Sequence, residues 1–247
     1  MPMQKLNTQN QMYKKNNSLT TIFLNETGLA KYIAIIWTIT PVIGGFLLLG
    51  FIKPIEQLVI SNNIYLVLYI LLFGLLAGLG LIPTYAAAIV AGWVYGFYLG
   101  SFVALSGICF ASIIGWLLTK YLIGSKVLKF IDKYPRSAAL RSAFINENGY
   151  KTMTLVALLR ISPNSPFALF NLILAGIGTR LIPNTVGTLL GIAPRTIFLV
   201  LLSATASSSG AIDLIDFLNQ DKGFSWIAFG IISLLLVGII LTILSRK

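Results

Sequence analysis

Long apolar runs separated by short polar segments set the pattern of this chain. Four of the runs are unbroken: Lys31 to Phe51, Gly100 to Thr119, Leu181 to Leu202 and Trp226 to Leu244. At a rise of about 1.5 Å per residue each can cover about 30 Å of hydrocarbon, so each predicts a transmembrane helix. Two further apolar stretches, 64–98 and 151–178, are interrupted in the middle. In the second, TLVALLRISPNSPFALFNLILAG (154–176), Arg160 is followed by Pro163 and Pro166. A guanidinium at bilayer depth costs roughly 2.5–3.5 kcal/mol, and proline removes a backbone donor, which argues against a continuous lipid-facing helix here. Broken backbone at that depth survives only where it is packed in protein or lines a wet cavity. The segment therefore predicts a re-entrant hairpin with a cation at its tip, Arg160 to Pro166. Leu81, Ile82 and Pro83 mark the corresponding tip in 64–98.

Composition agrees with this pattern. The mean hydropathy is +0.88, with 57% hydrophobic and 10% charged residues, outside the range of soluble domains. The fold class expected is an all-α integral membrane protein, made of two inverted units of hairpin plus transmembrane helix with a flanking helix at each end. Residues 1–30, rich in Asn, Gln, Thr and Lys, predict a disordered tail. The first span, 31–51, lies too far in and runs too long for a cleaved signal peptide, so it is expected to be retained. Cys109 is the one cysteine and histidine is absent, which argues against disulfides, redox motifs and transition-metal sites.

The net charge of +11 matters through its placement. Lys5, Lys14, Lys15 and Lys31 precede the first span. Lys120, Lys126, Lys129, Lys133, Arg136, Arg141 and Lys151 crowd the central loop, and Arg246 and Lys247 end the chain. Segments 52–63 and 204–224 carry only Lys53 and Lys222, against Glu56, Asp213, Asp216 and Asp221. The positive-inside rule then puts both termini and the central loop in the cytoplasm, and the two hairpins enter from opposite sides. An offset of about 84 residues aligns Ala91-Gly92 with Ala175-Gly176, Leu105 with Leu189, and Gly107-Ile108 with Gly191-Ile192, an inverted-repeat pattern. Such small residues would let hairpin and span approach closely. In the central loop, KVLKFIDKY places Val127, Ile131 and Tyr134 on one helical face and three lysines on another; it is either a helix lying on an anionic surface or a solvated basic loop. The stretch around Asp213 and Asp216 predicts a short interfacial helix on the outer side. The basic charge does not indicate nucleic acid, since no soluble basic domain is present.

The ordered set LIPTYAAAIVAGWVYGFYLGSFVALSGICFASIIGWLLTKYLIG, ALLRISPNSPFALFNLILAG and TVGTLLGIAPRT resembles the VTT-domain proteins, also called the SNARE-associated Golgi protein or DedA superfamily, over roughly residues 64–203. The resemblance implies two facing re-entrant loops and movement of phospholipid or lipid-phosphate carriers between leaflets. It places the family's arginine on Arg160, its Pro-x-x-Pro-Phe on Pro163, Pro166 and Phe167, and its helix-breaking Asn on Asn171. The bacterial branch often has a carboxylate in the first hairpin and a second arginine six residues after the first. This chain has no Asp or Glu from Gln57 to Ile131, and Pro166 occupies the second position, which puts proton coupling in doubt.

Candidate substrate-binding residues are Arg160, Arg195 and Asn171. Arg160 would grip a phosphate bidentately or, alternatively, cap broken-helix carbonyls. Arg195, after Pro194, would add a second phosphate contact or snorkel. Arg180 is explained by the positive-inside bias, and Pro41 by a kink. Pro83, Pro163, Pro166 and Asn171 are read as helix breakers. Without His, paired membrane carboxylates or a Walker motif, no enzyme is expected; Ser162 and Ser165 have no base near in sequence. Three functions stay open: a scramblase or flippase-like lipid transporter, an ion-coupled small-solute transporter, and a membrane scaffold. The partners expected are lipids with anionic headgroups, with a homo-oligomer open, and no cofactor is expected. The expected location is a bacterial plasma membrane.

Overall fold

The computed structural model describes residues 28–60, 64–123, 144, 149–161, 166–211 and 216–217, and among them there is no strand. In chain order the helices are α1 (Gly28–Gly50), α2 (Ile52–Ile60), α3 (Ile64–Gly78), α4 (Thr84–Leu118), α5 (Gly149–Ile161), α6 (Phe167–Gly176) and α7 (Leu181–Ser208), with a π-helical turn, Thr119–Ile123, after α4. The predicted tail, the KVLKFIDKY segment, Pro163 and the span Trp226 to Leu244 lie outside the described residues.

Helix α1 carries Pro41 in its interior, but the sharp bend comes later, where 39–50 and 52–59 meet at 60°. Helix α4 is broken at Gly96, close to the boundary the sequence draws between stretch 64–98 and the span from Gly100. Gly96 has φ 72° and ψ −172°, which no L side chain adopts without strain. In a straight helix Ala88 and Ala104 would lie roughly 24 Å apart. Here Ala88, Ala91, Val103 and Ala104 share one buried cluster with Val200, so limb 84–95 folds back along limb 97–118. By length and composition α4 and α7 can each cross a membrane. Within α4, limb 97–118 alone spans about 33 Å and suffices, whereas limb 84–95 reaches only about 18 Å. A second left-handed glycine, Gly178 (φ 91°), separates α6 from α7 in the same way.

Contacts fix the directions of these helices. Gly107 packs on Phe73, and Gly78 on Ile114, so α3 runs parallel to limb 97–118. Gly187 packs on Met153 and Val156, and Gly191 on Ala157 and Arg160, so α5 runs parallel to α7. Asn184 lies beside Ser112 while Val200 lies beside Val103, so α7 is antiparallel to limb 97–118. Finally, Phe167 packs with Ile108 and Ala111, and Asn171 against Gly115, so α6 follows limb 97–118.

The interior is small and polar while the outside is large and apolar. Ala86, Ala87, Ala88, Ala91 and Ala104 are fully buried, as are Ser112, Asn184, Thr188 and Ser203. Phe46, Ile64, Phe102, Leu158, Ile182 and Leu190 are exposed. Hydrocarbon gives no hydrophobic drive between helices, so close backbone approach and interhelical hydrogen bonds hold such a bundle. Gly92 sits directly on the Val200 backbone, and Ser203 Oγ donates to Ile89 O at 2.6 Å.

Candidate functional site

Arg160 is the largest fully buried side chain. It lies in the last turn of α5, one residue before the helix ends, and its side chain turns inward. Helix α5 stops at Ile161, and Pro166, with φ −62° and ψ 126°, is the extended residue that starts α6. Pro83 plays the same part before limb 84–95, with φ −81° and ψ 140°. Both prolines therefore begin helices, where a missing N–H costs nothing.

The guanidinium is held from α6. Its Nη1 donates to Phe167 O at 3.2 Å and its Nη2 to Asn171 Oδ1. Its carbon sits 5.0 Å from the Phe167 ring centre and 5.6 Å from that of Phe170. The carbonyl engaged belongs to the first turn of α6, not to the end of the broken helix. Asn171 is helical and buried within α6, so it is a ligand of Arg160 and not a helix breaker.

Among the described residues no acid balances this charge. Among the described residues the only carboxylates are Glu56 and Asp216. Glu56 pairs with Lys53 at 3.3 Å and accepts from Trp93 Nε1 at 3.2 Å. Phe217, next to Asp216, packs with Trp93 and Ala206 near the C-terminal end of α7. Arg160 instead sits level with Gly191, roughly 15 Å along α7 from its start. Its electrostatic neighbour is another cation, Arg195, half-buried halfway along α7.

Several buried polar atoms around this pair make no hydrogen bond: Arg160 Nε, Asn171 Nδ2, Asn184 Oδ1, Thr185 Oγ1 and Thr188 Oγ1. Asn171 presses on Gly115, one turn after Ser112, and Asn184 Nδ2 donates to Ser112 Oγ at 3.3 Å. Asn184, Thr188, Gly191 and Arg195 recur at helical spacing on one face of α7. A polar seam thus runs through the bundle interior to Arg160. The structure brings Arg160, Asn171 and Arg195 together. Sequence reasoning missed Ser112, Asn184, Thr185 and Thr188, though the spacing from Asn184 to Arg195 inside an apolar span was the available signal. Pro83 packs against α1 at Gly45.

The family model described as the VTT domain matches residues 82–205, half of the chain. No curated protein and no solved structure matches it. The matched region contains both limbs of α4, Arg160, Asn171 and α7 up to residue 205, so the seam lies inside it while α1, α2 and α3 precede it, and this integral membrane protein belongs to the VTT-domain family.

Proposed function

We propose that the chain moves phosphate-bearing lipid between leaflets, with Arg160 as the headgroup contact. The observation that carries this is a fully buried guanidinium with no carboxylate beside it among the described residues, satisfied only by two neutral acceptors. A phosphate oxygen is a stronger partner for the same donors than a carbonyl or an amide oxygen. An arriving headgroup can therefore displace Asn171 Oδ1 and Phe167 O, and Arg195 strengthens the same anion preference. The seam of unpartnered hydroxyl and amide groups offers hydrogen bonds along the way, while acyl tails stay in lipid.

An inverted-repeat architecture with two re-entrant hairpins supports this reading. Unit one is α3, limb 84–95 and limb 97–118; unit two is α5, α6 and α7. In each, a left-handed glycine separates short helix from long helix, and the long helices are antiparallel. At the 84-residue offset the Gly107–Phe73 contact maps onto Gly191–Ala157. The same offset maps Arg160 onto Leu76 and Asn171 onto Ala87, so the charged site belongs to one unit alone. The absence of a midplane carboxylate from the described residues disfavours the ion-coupled solute transporter. Transport of this kind needs no chemical step, and none is assigned. The charge distribution supports a reading with both termini in the cytoplasm.

Proteoliposomes carrying fluorescent phosphatidylglycerol test the proposal, with a membrane-impermeant quencher reading the outer leaflet. The parent chain should expose inner-leaflet label, and Arg160→Ala should abolish the exposure at equal reconstituted amounts. Equal rates for the two would leave Arg160 as a structural cap and overturn the mechanism.

A further inference from the structure

The end of the bundle that carries Lys120 and Arg180 holds a cleft of about 300 Å³, remote from Arg160, lined by Trp116, Lys120, Ala175, Gly178, Thr179, Arg180 and Leu181. We infer that this cleft is a binding site for a phosphate-bearing anion at the membrane edge, gripped by Lys120 and Arg180 against the face of Trp116. It goes beyond the transfer mechanism and holds whether or not the chain moves lipid.

Three observations carry it. First, both cations are exposed, and among the described residues neither has a carboxylate to pair with, since Glu56 and Asp216 lie at the opposite end of the bundle. A bias of positive charge toward one side explains cations at this end, but not two of them lining one cleft. Second, the wall is built and fixed. Trp116 is buried and its Nε1 donates to Thr179 O at 2.9 Å, while Thr179 Oγ1 donates to Leu174 O at 2.7 Å. The Lys120 ammonium rests 4.6 Å from the Trp116 ring centre and 5.7 Å from that of Tyr121. A lysine positioned on aromatic faces loses less freedom when it binds. Third, the volume is at the small end of ligand pockets, which suits a headgroup or an inorganic anion rather than a whole lipid. The apolar lining from Ala175 and Leu181, with a ring at the rim, fits a ligand whose remainder continues into lipid.

The test is equilibrium binding to the full-length chain in detergent, using dioctanoyl phosphatidylglycerol, inorganic phosphate and dioctanoylglycerol as probes. Binding of phosphatidylglycerol should saturate and change tryptophan emission, and Trp116→Phe should remove that change. Lys120→Gln and Arg180→Gln should each weaken binding roughly fivefold, the double variant should lose it, and Lys120→Arg should keep it. Arg160→Ala should abolish lipid transfer while the part of the binding that depends on Lys120 and Arg180 persists, which separates the failure of one idea from that of the other. If inorganic phosphate also binds, the source is a free anion; if only the lipid binds, the source is a headgroup. The inference is overturned if neither binds, if the double variant binds as the parent does, if Lys53→Gln at the far end weakens binding equally, or if dioctanoylglycerol binds as well as the phosphorylated probe.

Discussion

Arg160 and Asn171 belong to different helices, α5 and α6, and the Asn171 carboxamide oxygen accepts from the Arg160 guanidinium in the interior of the bundle. A neutral partner for a buried charge is an unusual choice. An Asp at this place would neutralise the arginine and keep it; an Asn orients it and leaves its charge available. The contact also ties the end of α5 to α6.

The first prediction follows from that choice. Asn171→Asp should supply Arg160 with a permanent counterion, so lipid transfer should fall by roughly tenfold or more, as a charged hydrogen bond must now be given up. Thermal stability in detergent should hold or rise. Transfer at the parent rate would mean that the Arg160 charge is not what the substrate meets.

Gly96 separates backbone strain from steric clash. A Cβ there would meet nothing within 4 Å, so Gly96→Ala fails only through its φ of 72°. The expected loss is about 1–3 kcal/mol, seen as a lower unfolding temperature in detergent. Gly50→Ala, also with open space around it, should be neutral or slightly stabilising. Equal behaviour of the two would show that the limbs of α4 do not need the left-handed bend.

How much of this was legible in the sequence depended on whether a residue declared itself against its surroundings. Arg160 did, because a charge in an apolar run has few explanations. Pro83 and Pro166 marked the interruptions correctly, although they turn out to start helices. Gly96 itself did not, because among many glycines only its dihedral angles set it apart, although the sequence puts a boundary close by, between stretch 64–98 and the span from Gly100. Asn171 was found through resemblance but given the wrong physical role, since the acceptor it offers depends on how α6 lies against α5. The cleft at Trp116 joins residues far apart in the chain, so no local pattern announces it.

Sidedness gives the third prediction. Lys120, Lys151 and Arg180 stand at one end of the bundle, and Lys53, Glu56 and Asp216 at the other. In a Cys109→Ala background, Lys53→Cys should react with an impermeant thiol reagent in intact cells. Tyr121→Cys should react only after permeabilisation. The reverse labelling would invert the orientation assigned from the charges.

Asn184 tests whether the seam serves passage or packing. Its Nδ2 donates to Ser112 Oγ at 3.3 Å, and its Oδ1 makes no hydrogen bond although the residue is fully buried. An unsatisfied buried polar atom costs about 1–3 kcal/mol, so a residue kept only for stability would be better replaced by an apolar side chain of similar size. Asn184→Leu combined with Ser112→Ala should therefore raise the unfolding temperature or leave it unchanged. If headgroups use the seam, the same double variant should slow lipid transfer severalfold with Arg160 untouched. A fall in stability with a parental transfer rate per folded molecule would assign the pair to packing, and the route to Arg160 would have to lie along another face of α7.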